Sequence, residues 1–370
     1  MASLEKLKTK LHSVRRCQVG LFFMLVSAGP LACQTSSPAP STDFEAALTT
    51  VDASSSSTSP AARSLPLDFS GQKAWKHMRA LNRLGPRNAG SEGSQRSRDY
   101  LAASLETLGV ASRELVIQAT GAGGEAFDLT HLIAEIPGRS RDVLLLAAHY
   151  DTSPASTETS GRMDQNASGP ALLLELAHAL HKRPVPEYTI WLAWIDGDAL
   201  DRVTSSSFAS AVHPGTQSLV DEWTRSNELA RIRAAIVFGN VGHRDQPIVR
   251  DINSPRIYRE IFWEVAHEQG FDDVFPPSSH YGLTRTGRGT LAQAPLRATV
   301  ALENSRESMK SRKFAPAAKP RRATAGFDAV GNVTLEVLVR TASKLGKIDR
   351  FVEAPLKAGR DEPVPAIPAE

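Results

Sequence analysis

The chain has 370 residues, 41% of them hydrophobic, with a formal net charge of +3 and two cysteines. That length gives one large domain or two ordinary ones and excludes disorder over most of the chain. Residues 1–16 hold five basic side chains against Glu5, a net +4 that leaves −1 for everything after them, so no nucleic acid is expected among its partners.

The apolar run Val19–Ala32 follows this basic start and ends at Cys33. At about fourteen residues it is too short to span a bilayer and reads as an export signal. It resembles a bacterial lipoprotein signal, with Leu31-Ala32 before a Cys that would be lipidated, although Pro30 stands where that pattern prefers Leu. Simple secretion and a buried element of the domain are the alternatives. The expected location is the bacterial cell envelope, periplasm or outer membrane, with the membrane held through an N-terminal lipid. Cys17 falls inside the signal, so no stabilising disulfide and no cysteine chemistry is expected.

The domain plan is a signal over 1–33, a tether over 34–69, a folded domain over 70–345 and a loose tail over 346–370. The tether is rich in Ser, Thr, Pro and Ala (Ser54 to Pro60), a composition that cannot bury enough apolar surface to order itself.

Within the domain, Trp75, Met78, Leu81 and Leu84 recur at helical spacing until Gly85-Pro86. A second helix carries Tyr100, Leu101, Leu105 and Leu108 and stops at Gly109, and Leu115–Ile117 opens a strand. Leu129–Ile136 and Val143–Ala148 read as successive strands joined at Pro137-Gly138. A helix starting near Pro170 runs through Ala171–Leu180. Tyr188–Ile195 and Ala234–Phe238 are further buried strands, Ile257–Gln269 a helix, Leu296–Leu302 a short strand and Val330–Leu345 the closing helix. Strands alternating with helices predict an α/β fold, a three-layer α/β/α sandwich around a mostly parallel mixed sheet.

The chemistry gathers where strands end. His149 and Asp151 follow one apolar strand at i and i+2 and share a face, at the edge where open α/β sheets hold ligands. Imidazole and carboxylate are zinc donors, and a catalytic zinc keeps one position open for water or substrate. A lone His there is ordinarily a hydrogen-bonded core residue. Asp164 in Asp164-Gln-Asn-Ala-Ser-Gly169 is what makes the stretch more than that.

Taken together, Leu84–Ser91, His149, Asp151, Asp164–Gly169 and Asp196-Gly197-Asp198-Ala199 resemble the zinc aminopeptidases and glutaminyl-peptide cyclotransferases of the peptidase MH clan, over roughly residues 71–345. The resemblance implies a zinc-dependent exopeptidase fold, His149 and Asp164 as metal ligands, Asp151 as the carboxylate that orients His149 or ligates with it, and Asp198 as general base. It also implies a peptide or protein N-terminus in the cleft.

The match then fails at three points. The family's Asp-Gly-Glu-Glu is here Asp-Gly-Asp198-Ala199, so the base is a methylene shorter and the next ligand is absent. Gly239 stands where a further carboxylate belongs, with His243 just beyond as a weak substitute. The ten histidines end at His280, well before the closing helix that the family's last ligand His precedes. His280 is a displaced-ligand candidate or a loop residue, while His178 and His181 fit a packing helix. The sequence therefore predicts a degenerate member, binding zinc weakly or not at all and serving as a peptide- or protein-binding domain. The competing reading is an active zinc aminopeptidase or glutaminyl cyclotransferase with non-standard ligands. Trp191, Trp194 and Trp223 read as core, and the basic stretch 310–322 as a solvated loop.

Overall fold

The computed structural model describes residues 69–120, 126–153, 165–184, 186–200, 213–243, 247–277, 281–284, 290–291, 296, 298–304 and 324–353. The segments expected to be an export signal and a tether (up to residue 68), Asp164, His280, the stretch 310–322 and residues 354–370 lie outside them. No helix among the described residues is long and apolar enough to cross a membrane.

Two helices open the domain, α1 (Gly71–Arg83) and α2 (Glu92–Leu108). Ser70 and Ser91 cap them by accepting the N–H groups of Lys73 and Ser94, and Gly109, at φ 72°, ends α2 in the left-handed region. Strands β1 (Ser112–Thr120), β2 (Ala126–Ile136) and β3 (Ser140–His149) follow, then α3 (Ser168–His181) and β4 (Tyr188–Ile195). Next come α4 (Pro214–Arg225), β5 (Ile232–Phe238), the two-residue β6 (Arg250–Asp251) and α5 (Arg256–Glu268). The two-residue β7 (Tyr281–Gly282), β8 (Ala298–Leu302) and α6 (Ala325–Glu353) complete the domain.

The six-stranded sheet has the order β1-β2-β4-β3-β5-β8. The β1–β2 and β2–β4 pairs are antiparallel; β4, β3, β5 and β8 run parallel. The two strands flanking Pro137-Gly138 are thus not neighbours, because β4 inserts between them. Gly138 makes the crossing tight: a Cβ there would stand 2.2 Å from the Tyr188 carbonyl carbon. The closing helix runs to Glu353, eight residues past the edge drawn at 345.

Alternation along the strands divides the core in two. One face, with Leu144, Leu146, Ile190, Leu192 and Phe238, packs under α1, α2, α3, α5 and α6. The other, with Leu145, Ala147, Trp191 and Val237, packs under α4 through Leu219, Val220 and Trp223. Trp191 and Trp223 meet with ring centroids 5.6 Å apart, and Trp194 donates to the Pro170 carbonyl at 3.0 Å, so all three tryptophans are core.

The first turn of α1 is held by distant carboxylates. Ser70 N–H donates to Glu175 of α3 at 3.3 Å and Gly71 N–H to Asp328 of α6 at 2.7 Å. These satisfy donors that a helix start leaves over, and negative charge there suits the helix dipole. A Cβ on Gly71 would come within 2.4 Å of the Asp328 carboxylate, so this approach requires glycine.

Candidate functional site

The parallel strands end along one edge. There β3 delivers His149 and Asp151, β4 delivers Asp196, Asp198 and Ala199, β5 leads into Gly239 and Asn240, and β8 into Glu303 and Asn304. His149, Asp151, Asp196, Asp198, Glu303 and Asn304 are all buried.

His149 Nδ1–H donates to Asp151 Oδ1 at 3.0 Å, and the Ala199 backbone N–H donates to Asp151 Oδ2 at 2.7 Å. Asp151 therefore fixes the imidazole through its second nitrogen, as carboxylates behind metal-bound histidines do. Its other oxygen ties β3 to the turn after β4. Where the family places a carboxylate ligand, the chain presents a methyl group and uses that residue's amide as a strut.

The loop after β3 is positioned by the Leu-Gly-Pro-Arg turn. Arg87, 1% exposed, donates from Nε to the Tyr150 carbonyl at 2.8 Å. Its backbone N–H donates to Thr152 Oγ1 at 2.8 Å, Thr152 N–H returns a bond to the Arg87 carbonyl at 3.1 Å, and the Thr152 hydroxyl donates to Asn88 at 2.9 Å. The motif is a clamp on residues 150–152. Ser168 and Gly169 have a comparable use at the start of α3: Ser168 Oγ accepts from Val241 N–H at 3.0 Å, and a Cβ on Gly169 would be 3.0 Å from the Gly239 carbonyl.

Asp198 is committed to α4. Its Oδ1 accepts from Thr216 N–H at 2.7 Å and its Oδ2 from the Thr216 hydroxyl at 2.6 Å, so it caps the helix from outside. His213 Nδ1 stands 3.9 Å from Oδ2. The change of direction comes from Gly197 at φ 85°, which breaks the strand alternation that would have set Asp198 opposite its neighbours. These two bonds fix how the Asp198 carboxylate is turned, and each oxygen keeps a further lone pair.

Asp196 turns the other way, beneath the loop. Its Oδ2 accepts from Thr130 N–H at 3.1 Å, while its own backbone N–H donates to His131 Nδ1 at 3.1 Å. Burial, and then the charge of Asp151, push its carboxyl up to about 7. Behind it Tyr150 donates to the Thr130 carbonyl at 2.8 Å and accepts from Arg98 at 3.0 Å. His131 is wholly buried, which pulls its ring down to about 3. Its Nε2 is 3.1 Å from Ser218 Oγ of α4.

Of the residues picked from the sequence, the structure brings together His149, Asp151, Asp198 and Ala199, and places Gly239 on the same edge. His178 belongs elsewhere, bonded to Glu175 at 3.3 Å within the α1–α3 interface. His243 donates its N–H to Asn304. The sequence reading missed α4, although Pro214 with Leu219, Val220 and Trp223 spells a helix start and one apolar face. It also missed Asn240, Glu303 and Asn304, whose only signal is a position just past a buried strand.

Among the described residues no three His, Cys, Asp or Glu side chains come close enough to hold a metal ion. The donors described do not by themselves fit zinc, which takes three protein ligands even in open catalytic sites. Asp151 is turned toward His149 and the Ala199 amide, Asp198 toward Thr216, and Ala199 offers no donor side chain.

Gly215→Ala tests how tightly this corner is built. A Cβ there would lie 1.8 Å from the Asp196 carbonyl oxygen, against backbone that cannot rotate away. We expect a loss of about 1–3 kcal/mol in chemical denaturation, with weakened order around α4. An unchanged denaturation midpoint would mean that α4 does not seat on the β4 turn as described.

The profile of peptidase family M28 matches residues 131–284. Among solved structures, the glutaminyl cyclase of Porphyromonas gingivalis aligns at 21% identity and a TM-score of 0.61, covering 74% of this chain and 99% of that one. The Acidobacteriales bacterium glutaminyl cyclase aligns at 21% and 0.64 over 77% and 98%. A Zn-dependent exopeptidase from Parabacteroides distasonis aligns at 18% and 0.60 over 74% and 98%. No curated protein matches the chain. The match over residues 131–284 agrees with the family resemblance drawn from the motifs, and the fold is that of the zinc-dependent exopeptidases and glutaminyl cyclases.

Proposed function

We propose that this is an exported protein of zinc-peptidase fold, tethered to the bacterial envelope through its N-terminus, that binds a peptide or protein N-terminus in the old catalytic cleft and has little or no catalysis. The observation that carries this reading is the Ala199 amide bonded to Asp151. A position that should supply a metal ligand supplies a structural hydrogen bond, and the neighbouring Asp198 is turned toward Thr216 at the start of α4. Zinc bound through His149 and Asp164 alone would be weak, since affinity rests on several deprotonated donors held together.

Metal content after zinc exposure and dialysis tests the reading. We expect well under one zinc per chain, no aminopeptidase or glutaminyl cyclisation turnover above background, and no rescue by Ala199→Glu alone. Stoichiometric zinc that survives dialysis, with turnover abolished by Asp164→Ala, would establish instead an active enzyme with other ligands. Mass spectrometry of the mature N-terminus tests export, which intact residues 1–32 on a cytoplasmic protein would refute.

A further inference from the structure

The two outer strands of the sheet are treated differently. Beyond β8, the Val249 N–H donates to the Glu303 carbonyl at 2.9 Å, Ile248 bridges Asn304, and Ser254 Oγ accepts from the Ala301 N–H at 3.1 Å, so the chain around β6 takes up that edge. At the other edge lies β1, nine residues paired with β2 in unbroken register from Ser112↔Ala134 to Thr120↔Ala126. None of residues 112–119 is buried, and Val116 at the middle of the strand is 57% exposed.

The direction of the β1 backbone groups follows from β2. Glu135 N–H donates to the Ala111 carbonyl at 3.1 Å, toward β1, whereas Thr130 N–H donates to Asp196 on the β4 side. Odd-numbered residues of β2 therefore face β1, and the register pairs odd with odd. Ser112, Glu114, Val116 and Gln118 consequently point their N–H and C=O groups away from the sheet, where they meet no partner among the described residues. Natural edges are blunted by proline, a bulge or lysine. β1 has none of these, and Leu115–Thr120 carries no charge and holds Val, Ile and Thr, all strand formers.

We propose that β1 pairs antiparallel with β1 of a second copy, across a two-fold axis through Val116, and so joins the two sheets edge to edge. The strand is complementary to itself in that register. Val116 meets its own counterpart, Leu115 meets Ile117, Glu114 meets Gln118 and Arg113 meets Ala119, so apolar faces apolar and no like charges are opposed. Moving the axis to Glu114 would set two carboxylates face to face. A groove of about 520 Å³ between Asp99, Ala102, Ala103 and Glu106 of α2 and residues 110–112 leaves the second strand room at the Ser112 end. A two-fold contact uses the same surface on both copies and closes, and the occupied β8 edge gives a fibre no place to grow. An unrelated extended peptide would need only the open edge; the match of the strand to itself is what favours a second copy. This edge lies beyond β2, away from the strands that carry the cleft, and the pairing does not depend on what the cleft binds.

The test uses the full chain with Cys17 and Cys33 changed to Ser. Sedimentation should show a dimer that dissociates on dilution. Val116→Lys, which sets two ammonium groups opposite each other, should raise the dissociation constant about tenfold or more while the exposed site leaves the denaturation midpoint unchanged. Val116→Cys should give a disulfide-linked dimer under mild oxidation, because directly paired Cα atoms about 5.5 Å apart lie within disulfide range. Gln118→Cys should not, since its counterpart lies four residues along the strand, roughly 13 Å away. A dimer that Val116→Lys does not weaken, or equal linking through Gln118→Cys, would overturn the pairing. So would a monomer at every concentration, which would leave the edge to a strand from another protein.

Discussion

Arg87→Met is expected to cost the domain roughly 2–4 kcal/mol, because it leaves the buried Tyr150 carbonyl without its guanidinium donor. The guanidinium is fully enclosed and holds the Tyr150 carbonyl directly, and it cooperates with the Thr152 bonds to fix the loop carrying Asp151. Methionine keeps most of the volume and loses the donors. Arg87→Lys should recover only part of the stability, since an ammonium cannot reproduce the planar fork. In a domain of this size the loss corresponds to a fall in Tm of roughly 5–15 °C. A midpoint unchanged in Arg87→Met would show that the turn only accompanies the loop and does not hold it.

The second large effect is electrostatic and is visible only as a difference between two pH profiles. The Asp196 carboxyl titrates near 7 in the folded protein, well above its ordinary value, because it is buried beside Asp151. The folded state therefore holds this proton where the unfolded chain has released it. Its contribution favours folding at low pH and is lost as pH rises from about 4 to about 7, on the order of 4 kcal/mol in all. Wild type will not show this plainly. His131 and His77, pulled down by burial to about 3 and about 4, act in the opposite sense. The unfolded chain protonates them first, so their contribution falls as pH drops below about 6.5. Asp196→Asn removes one limb of the cancellation and keeps an acceptor for Thr130 N–H. We expect the variant to match wild type near pH 4 and to exceed it by several kcal/mol at pH 8, read by urea denaturation across the range. A gap that is constant with pH would mean that Asp196 is ionised in the folded state.

How far the sequence reveals this site depends on whether local periodicity survives to the residue in question. His149 and Asp151 were legible because a buried strand runs straight into them and alternation puts both on one face. The roles of Asp196 and Asp198 were not, since Gly197 reverses the backbone between them and the partner that decides Asp198 is Thr216, on a helix eighteen residues on. The strand order was hidden for a related reason. Pro137-Gly138 looks like a hairpin turn, yet Tyr188–Ile195 is more apolar than either flanking strand and takes the central place between them. That Ala199 and Gly239 carry no carboxylate could be read residue by residue. What those positions now do is tertiary: an amide strut in one case, a close approach to Gly169 in the other.

The two carboxylates at the start of α1 have a consequence in time. Glu175 and Asp328 lie 105 and 257 residues beyond the N–H groups they accept. Synthesis delivers α1 first and its anchors much later, the second only with the closing helix. Until residue 328 has emerged, the Gly71 N–H has water for its partner. The apolar face of α1, with Ala74, Met78 and Leu81, waits for the same two helices. Joining the first helix to the last therefore closes the longest loop in the fold and belongs to the final stage of folding. A nascent chain stalled before residue 325 should consequently leave α1 open to protease, and release past 353 should protect it.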